Sequence, residues 1–208
     1  RYSIVTAPGP GDPPRVKTFR YDLYTPTTRA QSNGAGHGHG GSTEPTADQG
    51  APAEPRMTSQ FLAYDEAYTG GVSLATGWVA GAEGGAMSVI TGQLSGDGTV
   101  RTWSSGSRLD GEPKMYTQSP AHHSGDVVFA QTASFAPFTG ATPGVTVATT
   151  STTTGAELLT SGAGPGGSEV RKYGLGRAAP DAKTLAPTLL TTLPTMPGAT
   201  GAAALAGR

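Results

Sequence analysis

The chain has no cysteine among its 208 residues. That removes disulfide frameworks, thiol chemistry and every Cys-ligated zinc or iron–sulfur site. Charge is scarce too: only 14% of residues are charged, and 14 Lys+Arg are balanced by 15 Asp+Glu. Binding to nucleic acid through a basic surface therefore has no electrostatic footing. The uncharged run Thr184–Gly207 is long enough to span a bilayer, but Pro187, Pro194 and Pro197 make it a poor lipid-facing helix, and no membrane span is expected. What the chain holds in excess is 32 glycines and 17 prolines. They interrupt almost every window long enough for a helix, at about 1 and about 3 kcal/mol each in a helix interior. A helical bundle is excluded on that ground.

Internal repetition organises what remains. Ile4-Val5-Thr6 leads through a Gly/Pro-rich turn into Val16-Lys17-Thr18-Phe19; Val89-Ile90-Thr91 leads through Gly96-Asp97-Gly98 into Val100-Arg101-Thr102-Trp103. A third copy runs from Leu158-Leu159-Thr160 through Gly162–Gly167 into Val170-Arg171-Lys172-Tyr173. Each is an apolar strand, a turn, then Val-basic-x-aromatic, which predicts a β-hairpin of nearly constant length. Gly71-Val72-Ser73-Leu74-Ala75-Thr76 precedes the second hairpin, and Gly144-Val145-Thr146-Val147-Ala148-Thr149 precedes the third. A weaker copy lies at Gly201–Gly207. A fourth strand follows each hairpin, carrying Phe61-Leu62-Ala63-Tyr64, then Phe135-Ala136-Pro137-Phe138, with a faint version between Leu189 and Met196. Met57, Phe61, Tyr64 and Tyr68 fall at helical spacing, but Pro137 in the matching segment favours strand and loop.

The expected fold is all-β, with β-propeller-like four-stranded blades in a single domain over residues 1–208. The units cover about 3–70, 71–143 and 144–200, and residues 201–207 are expected to pair with Ser3–Ala7 and close the first blade. Length variation is confined to one connection, giving insertions at 22–55 and 104–125. Three units fall short of the roughly four to eight blades of closed propellers, so several chains are expected to combine, or the chain to be part of a longer propeller.

Thr160–Tyr173, Ile4–Phe19 and Phe61–Gly77 resemble the FG-GAP/VCBS family of bacterial β-propeller repeats. The resemblance covers most of the chain outside the insertions. It implies exported proteins with adhesive, ligand-binding or assembly roles, and an acidic calcium loop between the first two strands of a unit. Here Trp78–Gly85 offers a single carboxylate, Glu83, and Thr150–Gly155 offers none, so calcium binding is not expected.

Three groups of residues are candidates for chemistry. Gly162-Ala163-Gly164-Pro165-Gly166-Gly167 matches the dinucleotide-binding glycine pattern, yet that pattern requires a helix after the turn, and Val170–Tyr173 reads as a strand. His37, His39, His122 and His123 are all the histidines, and both pairs lie in insertions. They are the only candidates for a transition-metal site, with Glu44, Asp48 and Asp126 as oxygen donors. Otherwise no cofactor is expected. Arg15, Arg101 and Arg171 recur beside the third strand of each unit, near Trp103 and Tyr64. They suit contact with a glycan, an anionic ligand or a protein partner, or else packing between blades.

The functional expectation is a non-enzymatic, exported propeller-repeat subunit. It would bind other protein subunits, a second copy of itself or a glycan, in an extracellular, cell-surface or periplasmic assembly. A metal-dependent enzyme built on the histidine loops and a lectin are the competing readings. The start on Arg1, with no apolar leader, is read as a mature product or a piece of a longer chain.

Overall fold

The computed structural model describes residues 2–21, 54–78, 87–105, 129–138, 144–152, 155–164, 167–177 and 184–197. Among them there is no helix. Eleven strands form three antiparallel sheets, each a simple meander in chain order. The first sheet is β1 (Tyr2–Thr6), β2 (Arg15–Tyr21) and β3 (Arg56–Leu62). The second is β4 (Val72–Trp78), β5 (Met87–Gln93), β6 (Val100–Ser105) and β7 (Phe129–Phe135). The third is β8 (Val145–Thr152), β9 (Gly155–Gly164), β10 (Gly167–Arg177) and β11 (Leu185–Pro197).

The repeat holds strand by strand. In the Gly-rich segment, Gly162–Gly164 end β9 and Gly167 begins β10, with Gly164 opposite Gly167 in the antiparallel pair. The helically spaced aromatics fall on β3 and the loop after it. Long connections join β2 to β3 and β6 to β7, the same step in both sheets. The first sheet holds three of the four strands of a unit, and no closed propeller is formed among the described residues. The expected closing strand at 201–207 lies outside them.

Burial follows from the stacking order. The second sheet lies between the other two, and Ser88-Val89-Ile90-Thr91-Gly92 is buried at every position. Val89 joins Val16, Tyr64, Trp103 and Phe129 in the core against the first sheet. Ile90 joins Val100, Val145, Leu158 and Tyr173 in the core against the third. A strand covered on both faces reads as a continuous run, whereas one covered on a single face alternates. β2 alternates: Val16 and Thr18 are buried, and Lys17 between them is exposed. Each fully buried Val, Leu or Ile contributes about 1.5–3 kcal/mol.

One irregularity recurs at the same place in all three sheets. The register slips between Thr18 and Phe19, between Thr102 and Trp103, and between Lys172 and Tyr173. Each slip leaves an extra residue on the last strand: Thr58, Thr132 and Leu190. A bulge of this kind increases local twist. In the first two sheets a threonine pair spans it, Thr18 with Thr58 at 3.0 Å and Thr102 with Thr132 at 2.8 Å.

Turns lock each sheet to its predecessor. Gly71 and Gly144, the residues before β4 and β8, have φ of 85° and 109°. A Cβ at Gly71 would lie 2.9 Å from Pro10, and one at Gly144 would lie 1.9 Å from the Leu94 carbonyl oxygen. Both positions combine a left-handed backbone with a close approach, so glycine is required. Backbone bonds fasten the same corner: Val72 N donates to Pro8 O at 3.0 Å, and Leu94 N to Gly71 O at 3.0 Å.

Candidate functional site

The recurring basic residue of the third hairpin position reaches backward into the preceding sheet. Arg101 Nη1 donates to the Ala63 carbonyl at 2.9 Å, and its guanidinium lies 5.0 Å from the Tyr64 ring centroid. Arg171 repeats the contact one sheet later: Nη1 donates to the Pro137 carbonyl, and the guanidinium lies 4.5 Å from the Phe138 ring. Ala63-Tyr64 and Pro137-Phe138 are matching positions at the ends of the fourth repeat strand. Glu169 adds a carboxylate to the second site, 2.8 Å from Arg171 Nη2. The Nε of Arg101 is buried without a hydrogen-bond partner.

Aromatic residues fill the same seams. The Phe61 and Trp103 rings lie 4.7 Å apart, tilted by 43°, and Phe135 meets Tyr173 edge-on at 5.0 Å. Trp103 is 8% exposed and donates from Nε1 to Thr91 Oγ1 at 3.1 Å. Tyr64 donates to the Thr99 carbonyl at 2.9 Å. Burial raises the pKa of both Tyr64 and Tyr173, because the phenolate would be charged in an apolar seam. Trp103 and Tyr64 thus spend their surfaces on packing between sheets, and neither is presented to a ligand.

Register places Lys17, not Arg15, at the repeated basic position. Lys17 lies opposite Thr6, as Arg101 lies opposite Thr91 and Arg171 opposite Thr160. Arg15 instead approaches Glu66 at 3.6 Å on the surface. The pairing of Val16, Val100 and Val170 with Lys or Arg in the next position carried this signal.

Alignment of the three sheets exposes two unmatched faces. On the first sheet, Ile4 and Met57 lie opposite Phe19, on the side facing away from the second sheet, and each is 44% exposed. Lys17 is on this side as well. On the third sheet, Leu193 lies opposite Val170, at the position held by Phe61 and Phe135 in the earlier sheets. Leu193 is 54% exposed and the bulge residue Leu190 is 50% exposed. Leu190 covers the space above Gly174. The buried pair Thr102–Thr132 is replaced here by Lys172 and Leu190, and Lys172 is paired with Glu157 at 3.1 Å.

His37, His39, His122 and His123, with Glu44, Asp48 and Asp126, lie outside the described residues. Among the described residues no group of three His, Asp or Glu side chains gathers as a metal site, and no helix is long and apolar enough to cross a membrane. Trp78, at the end of β4, is a largely exposed aromatic that the repeat pattern does not single out. A search of protein-family models, curated proteins and solved structures finds no match to this chain.

Proposed function

We propose that the chain is a non-enzymatic β-propeller-repeat subunit that binds another protein within a larger extracellular or envelope assembly. The observation that carries this reading is the pair of exposed leucines, Leu190 and Leu193, at positions whose counterparts in the earlier sheets are partly buried (Thr58, Phe61, Phe135) or buried (Thr132). Exposed apolar side chains grouped on one sheet face mark interaction surfaces. The repeated meanders, the shared bulge and the back-reaching arginines support the blade-like description. Absence of cysteine, scarcity of lysine and abundance of Thr, Ser and Gly support export. The test is the native mass of the chain in extracts of its source. A complex well above the mass of one denatured chain, dissociated by Leu193→Glu, supports the reading; a monomer before and after the substitution overturns it.

A glycan-binding reading is favoured by one observation, the exposure of Trp78 on β4. Sugar rings stack on exposed aromatic faces, and a Trp78→Ala variant that loses a glycan-array signal supports this role.

A further inference from the structure

The two unmatched faces are complementary halves of one interface that the chain already contains twice. In each internal copy, the leading sheet contributes a valine on the third repeat strand and an aromatic on the fourth: Val16 with Phe61, then Val100 with Phe135. The following sheet contributes an aromatic and an arginine: Trp103 with Arg101, then Tyr173 with Arg171. The outer face of the third sheet presents the leading half, Val170 with Leu193. The outer face of the first sheet presents the following half, Phe19 with Lys17, flanked by Ile4 and Met57.

We infer that the third-sheet face docks on the first-sheet face of a second copy of this chain, head to tail. This rests on the protein-binding reading above and names the partner. Leu193 and Leu190 pack on Phe19, Ile4 and Met57 of the second copy. Lys17 of that copy takes the place of Arg101 and Arg171, directed at the backbone of Thr195, which follows Leu193 by two residues as Ala63 follows Phe61 and Pro137 follows Phe135. The exposure of both faces shows that they are not paired with each other within one chain. A head-to-tail contact closes into a ring or continues as a filament. Two copies contribute six sheets, within the roughly four to eight blades of closed propellers.

A mixing experiment tests the inference. One variant carries Leu190→Glu and Leu193→Glu, the other Ile4→Glu and Met57→Glu, all at exposed positions, with circular dichroism verifying that both fold. The wild-type chain sediments as two or more copies. Each variant alone is monomeric, with self-association weakened about 100-fold or more, as expected for loss of two apolar anchors. The equimolar mixture restores a 1:1 dimer, because each variant supplies the face the other lacks, and the altered faces repel. A monomeric wild type, a variant that associates as well as wild type, or a mixture that stays monomeric overturns the inference. If the purified chain is monomeric while Leu193→Glu still dissociates the complex in source extracts, the partner is a different protein and the broader reading stands.

Discussion

Arg101 crosses from the second sheet to the first and bonds the carbonyl of Ala63 at 2.9 Å, a link between residues 38 positions apart. Arg171 makes the same link between the third sheet and the second, at Pro137. A charged hydrogen bond of this kind contributes about 1.5–3 kcal/mol, and the cation over the ring adds about 0.5–1 kcal/mol. Arg101→Ala is therefore expected to lower the denaturation midpoint by an amount equivalent to about 2–4 kcal/mol. Arg171→Ala costs more, since it strands the largely covered Glu169 carboxylate. Equal, negligible shifts in both variants would mean that these arginines do not join the sheets.

Gly144→Ala is a sharper probe of the corner between sheets. The backbone there is left-handed and the added methyl meets Leu94, so the strain of about 1–3 kcal/mol is a lower bound and the melting temperature falls. Gly9→Ala is the control. Its Cβ would meet nothing within 4 Å, and stability is expected to stay level or rise by up to about 1 kcal/mol through a less flexible unfolded chain.

The two tryptophans report on opposite environments. Trp103 lies in the seam and Trp78 is largely exposed. Trp78→Phe should leave a blue-shifted emission that acrylamide barely quenches. Trp103→Ala should cost about 3–5 kcal/mol, as large core truncations do. A red-shifted, freely quenched emission from the Trp78→Phe variant would place Trp103 outside the seam.

Stability should fall on the alkaline side. Tyr64 and Tyr173 bind their protons more tightly when folded than when unfolded, because burial opposes the phenolate. Their contribution is fully present below the unfolded phenol pKa of about 10 and is lost as pH rises beyond it. Tyr64→Phe removes one titrating group, so the slope of stability against pH above about 10 should become shallower. An unchanged slope would mean Tyr64 is not the group responsible.

The sequence exposed the strands and their order because alternation, glycine placement and the Val-basic-x-aromatic motif are local properties. Ser88–Gly92 could be assigned to a strand, but its burial on both faces depends on neighbours that no local pattern encodes. The partners of Arg101 and Arg171 are backbone carbonyls, which carry no residue-type signature. The bulge at Thr58 and Thr132 was hidden for a related reason, since one threonine among many marks nothing until register is known. Arg15 matches Arg101 and Arg171 in residue type, whereas Lys17, the residue after Val16, matches them in position.

The absence of cysteine offers the most direct test of the central claim, that the two open faces belong to one interface. Phe19→Cys and Leu193→Cys chains, each carrying a single thiol, are mixed and treated with a short bismaleimide. The expected result is a covalent 1:1 product linking Phe19→Cys to Leu193→Cys, far in excess of either chain linked to itself. Equal linking of all three combinations, or no product in the mixture, would contradict a head-to-tail interface.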